Sequence, residues 1–320
     1  MCKIILIVCV LTMAVLPAVA YRPFVVSSYI RGNFFNKGRV TSESMNACND
    51  LICLGVHPGG DGDLMYDDLI APQGRGAKTV PALLDSVALH IKNRDRTKLR
   101  LGISGGKEWR TMIESVEARN HFAVNVKDFL KVHNLDGVDL DFEWPQSDEE
   151  FDNYSEVIVI LREYIGEDYI LTVSLHPLYY KISRRAIEAV DYVSLQCYGP
   201  NPVRFSYDQF VSDIQKVRQY GIPAEKLVAG VPFYGVAKDG SRKTIAYYNL
   251  VMNNLIQSPA EDEARYMNTL YLYNGQDMIM QKTQYAMKQD LRGLMSWDLA
   301  TDVPFADRWS LLKAMVGMLD

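Results

Sequence analysis

Residues 135–145 read LDGVDLDFEWP, a stretch that places the carboxylates Asp136, Asp139, Asp141 and Glu143 among the apolar residues Val138, Leu140 and Phe142. On a β-strand alternate side chains share a face, so Asp139, Asp141 and Glu143 project together while the apolar residues pack the other way. At a rise of roughly 3.3 Å per residue, Glu143 emerges last. Like charge and lost hydration both oppose ionisation of a buried carboxylate row, so its members share protons. A carboxyl whose pKa is raised in this way can protonate a leaving group near neutral pH, and Glu143, at the open end, takes that role. Two plainer readings stand beside it. Carboxylates at alternate positions can bind Ca²⁺, but a hard-cation loop interleaves glycine and polar residues rather than Val, Leu and Phe. A solvated edge strand would alternate too, but Gly137, the apolar partners and the closing Trp144-Pro145 argue against it.

The rest of the chain must position this row. β-rich runs begin at Phe24, Leu51, Lys98, Gly137, Tyr169, Asp191, Lys226 and Gly293, each apolar and each ended by Gly, Pro or polar residues. Between them, apolar residues recur at spacings of three and four from Val80, His121, Glu149, Ser183, Tyr207, Gln276 and Trp309, which predicts amphipathic helices. Alternating strands and helices with no linker or composition shift predict one (β/α)8 TIM barrel over residues 21–320, class α/β. In a barrel the helices cover the outward face, so the carboxylate row points inward and Glu143 stands at the C-terminal mouth. The first βα connection is the least regular. The segment from Gly235 to Gly275 predicts an elaborated loop after the seventh strand, with a helix from Thr244, and is too short for a full α+β insertion domain.

Composition narrows the function. The chain has 320 residues, 48% hydrophobic and 23% charged, which is ordinary globular make-up and enough for a large core. Its formal charge of -5, with scattered Lys and Arg, offers no basic stripe to track a phosphate backbone, so nucleic acid is not an expected partner. Residues 1–20 combine Lys3, a short apolar run and Ala18-Val19-Ala20, the pattern of a secretory signal peptide, and predict a secreted or periplasmic protein. No later segment is long and apolar enough to span a bilayer. Cys53 and Cys197 sit in apolar runs and read as small buried hydrophobes; spacing leaves a Cys48–Cys53 bridge open, and no spacing suggests a metal site.

The LDGVDLDFEWP run resembles the DxxDxDxE motif of glycoside hydrolase family 18, the chitinases and endo-β-N-acetylglucosaminidases, at all four acidic positions. The resemblance extends along the mature chain, strand by strand. It implies that Glu143 is the general acid and base, that Asp141 holds the acetamido N–H of the substrate and that Asp139 balances charge beneath it, with Asp136 structural. The nucleophile in that family is the substrate's own acetamido oxygen, giving net retention, rather than a second carboxylate. By the same resemblance Tyr198, in LQCYGP, hydrogen-bonds the acetamido carbonyl, and Trp297, in GLMSWDLATD, floors the subsite by stacking on the sugar. Gln196 faces the same way as Tyr198. Tyr29 and Tyr234 read either as walls of the same cleft or as core. His176 is left out as a lone, structurally satisfied histidine. Two departures stand out: the family's SxGG serine would fall at Ile103, and the aspartate that often follows the strand-six tyrosine is replaced by Gly199.

The expected function is therefore hydrolysis of β-1,4 bonds after N-acetylglucosamine, by a monomer, without metal or other cofactor, most simply in chito-oligosaccharides. The chitobiose core of N-glycans is an alternative substrate. A non-catalytic, lectin-like sugar-binding protein on the same scaffold is a further alternative, against which the retained Glu143 argues.

Overall fold

The computed structural model describes residues 23–319; the expected leader, residues 1–20, lies outside them. Eight parallel strands form the barrel: Val25–Arg31, Asp50–Pro58, Lys98–Gly105, Gly137–Phe142, Ile170–Leu175, Tyr192–Leu195, Leu227–Pro232 and Gly293–Trp297. The first pairs with both the second and the eighth, which closes the sheet. Helices follow the strands on the outside, among them Val80–His90, Val116–Val132, Asp148–Ile165, Tyr207–Tyr220 and Gln276–Lys288. No helix among the described residues is long and apolar enough to cross a membrane.

Burial follows the pleat. Val138, Leu140 and Phe142 are fully buried outward beneath the helices, while Asp139 and Asp141 are equally buried inward. Behind the fourth strand, Trp109, Phe122, Phe142 and Tyr154 pack ring against ring, and the Tyr154 hydroxyl donates to Leu140 O at 3.0 Å. Gly137 lets this strand approach the next: a Cβ there would lie 2.0 Å from Ile170 O. At the closed end Asp136 accepts from Leu99 N at 2.8 Å and pairs with Arg94, holding the start of the strand as anticipated.

The structure departs from the periodicity in three places. The helix expected from His121 starts at Val116, because Ser115 caps it by accepting from Ala118 N and Glu117 occupies its first turn. The first βα connection holds two short helices, Gly32–Asn36 and Ser42–Ala47, and a strand Leu64–Tyr66 adds antiparallel to the second barrel strand. The segment after the seventh strand is more ordered than a loop. Tyr234–Ala237, Thr244–Ala246, Glu263–Tyr266 and Thr269–Leu272 form a small antiparallel sheet, and the predicted helix shrinks to Tyr247–Met252. The Asp239-Gly240 turn, with Gly240 at φ +78°, reverses the chain so that Thr244 and Ile245 pair with Val236 and Gly235. A hairpin signal thus overrides a helical spacing.

The three cysteines among the described residues, Cys48, Cys53 and Cys197, are free and buried, so the Cys48–Cys53 bridge does not form. Burial pushes all three thiols up, Cys53 to about 12.

Candidate active site

At the C-terminal mouth a cleft of about 490 Å³ opens over the carboxylate row, lined by Glu143, Trp144, His176, Gln196, Tyr198, Tyr234 and Trp297 among others. Its floor is made by strand ends, and one wall comes from the inserted sheet and helix through Thr244, Ala246 and Asn249. Arg31, Phe34 and Arg39 bring the irregular first connection to the rim.

The row descends from this cleft into the barrel. Glu143 keeps surface open to the cleft, but its carboxyl is crowded enough that lost hydration raises its pKa, with a weak counter-pull from Gln196 Nε2 at 3.5 Å. Asp141 is buried and accepts from Gln196 Nε2 at 3.0 Å. Burial first, then the charges of Glu143 and Asp139, push its pKa well above the usual carboxylate range. Asp139 lies deepest, accepting from Tyr29 Oη at 2.8 Å and from Thr172 Oγ1 at 2.5 Å. Burial raises its pKa too, against the pull of Arg100, Thr172 and Tyr29. The row therefore holds protons into the pH range where exposed carboxyls have lost them.

Tyr198 points its hydroxyl only at the weak acceptor Met295 Sδ, 3.6 Å away, leaving its proton available. Burial and the nearby Tyr234, Asp141 and Glu143 raise its pKa, so it stays a donor. Trp297 presents a partly open ring over Tyr29, with centroids 5.2 Å apart. Tyr234 lines the cleft and reaches Gly199 O at 3.5 Å. Tyr29 is placed differently from a wall: it is 1% exposed, beneath Trp297, and its contact is with Asp139 rather than the cleft.

Two cleft residues carried too little local signal to be selected. Trp144 follows Glu143 directly and stacks on Tyr179 at 5.6 Å, while His176 packs against Trp144 at 5.2 Å. Burial, then Arg204, lowers the His176 pKa to about 4, so the ring is neutral at ordinary pH. Leu178 N–H donates to its Nδ1 at 3.2 Å, which leaves its proton on Nε2. A Cβ added at Gly199 would sit 3.6 Å from that Nε2, on a backbone with φ +153°, so an aspartate at this position would be strained. At the other departure, Ile103 is fully buried in the outer core, and the inward position level with Asp139 is Gly102. Among the described residues no cluster of His, Cys, Asp or Glu could hold a metal ion.

The model of Glycosyl hydrolases family 18 matches residues 74–302, a span that includes the whole carboxylate row, Gln196, Tyr198 and Trp297. The chain belongs to glycoside hydrolase family 18. Chitinase A1 of Niallia circulans is 25% identical over 280 residues, covering 62% of this chain and 40% of the relative. The probable chitinase 2 of Drosophila melanogaster is 26% identical over 179 residues, covering 45% and 36%. The chain thus spans less than half the length of these curated relatives. In fold, the family 18 chitinase structure from Flavobacterium johnsoniae is similar at a TM-score of 0.74 and 24% identity, over 93% of this chain and 94% of the other.

Proposed function

We propose that this family 18 chain is an exported glycosidase that cleaves β-1,4 bonds after N-acetylglucosamine with retention, acting on chito-oligosaccharides. The observation that carries this reading is the proton-holding row of Asp139, Asp141 and Glu143, rising through the barrel to a cleft with an aromatic floor. Glu143 gives its proton to the bridging oxygen as the C1–O bond breaks, and the substrate's acetamido oxygen closes on C1. Asp141 accepts from the acetamido N–H, and the Tyr198 hydroxyl donates to the acetamido oxygen. The same Glu143, now a carboxylate, takes a proton from water that opens the oxazolinium ring. Trp297 supplies a stacking face for the sugar, and Trp144 and Tyr234 flank it. No step calls on a metal or other cofactor.

The test is product analysis of residues 21–320 with chitohexaose and, separately, with an N-glycoprotein, using Glu143→Gln as control. Shorter chito-oligosaccharides from the wild type alone are the expected result. Release of glycans carrying one N-acetylglucosamine, without cleavage of chitohexaose, would move the assignment to N-glycan cores. Binding without cleavage of either would make the chain a lectin. Export is read separately, from the N-terminus of secreted protein, expected at Tyr21.

A further inference from the structure

Beneath the carboxylate row lies a second set of charged groups that the proposed chemistry does not use. Arg100, with no exposed surface, lies inside the barrel on the third strand, where its Nε and Nη2 donate to Asp50 Oδ1 and Oδ2, each at 2.7 Å. Tyr192 Oη donates to Asp50 Oδ2 at 2.6 Å and lies 2.9 Å from Arg100 Nη2. The remaining arm, Nη1, reaches Thr172 Oγ1 at 2.5 Å and Val138 O at 3.3 Å. A guanidinium only donates, so Thr172 must accept from it. The hydroxyl has one hydrogen, and its other neighbour is Asp139 Oδ1 at 2.5 Å. Arg100 therefore turns the Thr172 hydroxyl toward Asp139. Gly102, level with Asp139 on the third strand, brings no side-chain donor of its own.

We infer that Arg100, clamped by Asp50 and relayed through Thr172, is a positioning residue that favours the ionised form of Asp139 at the base of the catalytic row. The assignment of Asp139 to the reaction rests on the proposed function; the relay itself is a property of the fold. The titratable groups around Asp139 are Arg100 and Asp50 below, Asp141 above, and Tyr29, Tyr192 and Tyr154 at the sides. Arg100 is the cation among them, and Asp50 partly offsets it. An Asp139 carboxylate leaves the row's proton to Asp141 and Glu143, where the leaving group is.

The experiment is the pH profile of kcat/KM on chitohexaose for the wild type, Arg100→Lys and Thr172→Val, with thermal unfolding recorded for each. Thr172→Val removes the relay while leaving the Arg100–Asp50 pair, so it serves if Arg100→Lys does not fold. Losing a donor to a carboxylate favours its neutral form and raises its pKa, so the acidic limb should move to higher pH. A shift of about one pH unit would reduce kcat/KM on that limb about tenfold while leaving the plateau nearly intact. A folded Thr172→Val with the wild-type limb overturns the inference, whatever its melting temperature. Titration of Asp139 by ¹³C NMR in aspartate-labelled protein reads the same shift without turnover. If the wild type proves inactive on sugars, that titration still decides whether the relay acts on Asp139, and the two failures stay distinct.

Discussion

Asp50 and Asp141 are both aspartates buried inside the same barrel, yet their surroundings displace their pKa values in opposite directions, Asp50 down and Asp141 up. Asp50 is buried against a bidentate guanidinium and a phenol, and against desolvation Arg100 above all, then Tyr192 and Ser27, hold its pKa below the usual range. Asp141 has two like charges for company and no cation, and the hydrogen bonds from Gln196 and Ser174 only partly offset its burial. Burial by itself therefore does not raise a carboxyl's pKa; what shares the cavity decides. In this barrel the lower layer pairs its charges, while in the upper layer burial raises the carboxyls of a row that ends at the cleft.

The contrast can be broken most sharply at its open end. Glu143→Gln should lower kcat on chito-oligosaccharides by roughly 10²–10⁴-fold, the usual contribution of a positioned acid, with unfolding unchanged. Turnover at the wild-type rate would remove Glu143 from its role. Asp141→Asn should approach the same loss in kcat while leaving stability unchanged or slightly raised, because it relieves a like-charge contact. Asp50→Asn should behave in the reverse manner. It strands Arg100 without its counter-charge, so denaturant unfolding should show a loss of about 3–5 kcal/mol, the usual result of breaking a buried pair. An Asp50→Asn protein as stable as the wild type would mean that the pairing in the lower layer does not stabilise the fold.

Two smaller effects sharpen the same comparison. Asp302 is another buried aspartate, raised to about 6 by burial despite hydrogen bonds from Val303 N, Leu311 N, Leu312 N and the Ser310 hydroxyl. A carboxyl whose folded pKa exceeds its unfolded value penalises the folded state once it ionises. Stability attributable to Asp302 should therefore be full below pH 3.8 and decline as pH rises toward 6, a slope that Asp302→Asn should remove from urea midpoints. The Asp50 contribution has the opposite sign, persisting at neutral pH and fading only in acid. Last, Trp297→Ala should raise KM by about three- to tenfold through lost stacking, with a lesser change in kcat. An unchanged KM would take Trp297 out of the sugar's floor.

The upper layer was legible because alternate spacing within one strand displays its members together, and Phe142 and Leu140 mark the opposite face. The lower layer was not. Asp50 stood at the edge of a predicted strand and Arg100 in the middle of another, 50 positions apart, and Tyr192 lies 142 positions from Asp50. Nothing local in either strand marks them as partners. Tyr29 shows the same limit: strand position indicated an inward direction, but whether its ring would line the cleft or support it from below depended on Trp297, which covers it.

The residues themselves determined the alternation of strands and helices, the inward direction of Asp139, Asp141 and Glu143, and the family, because these follow from the period of a strand, the period of a helix and one short motif. Tertiary structure alone decided which buried carboxylates meet a cation and what shape the cleft takes. Those depend on which groups from distant strands meet in a space without water, where each missing or added charge changes the balance between desolvation and attraction. The barrel brings Asp50 and Arg100 beneath the row and Thr172 level with Asp139, and the fold of the insert brings Thr244 and Asn249 to the rim of the cleft.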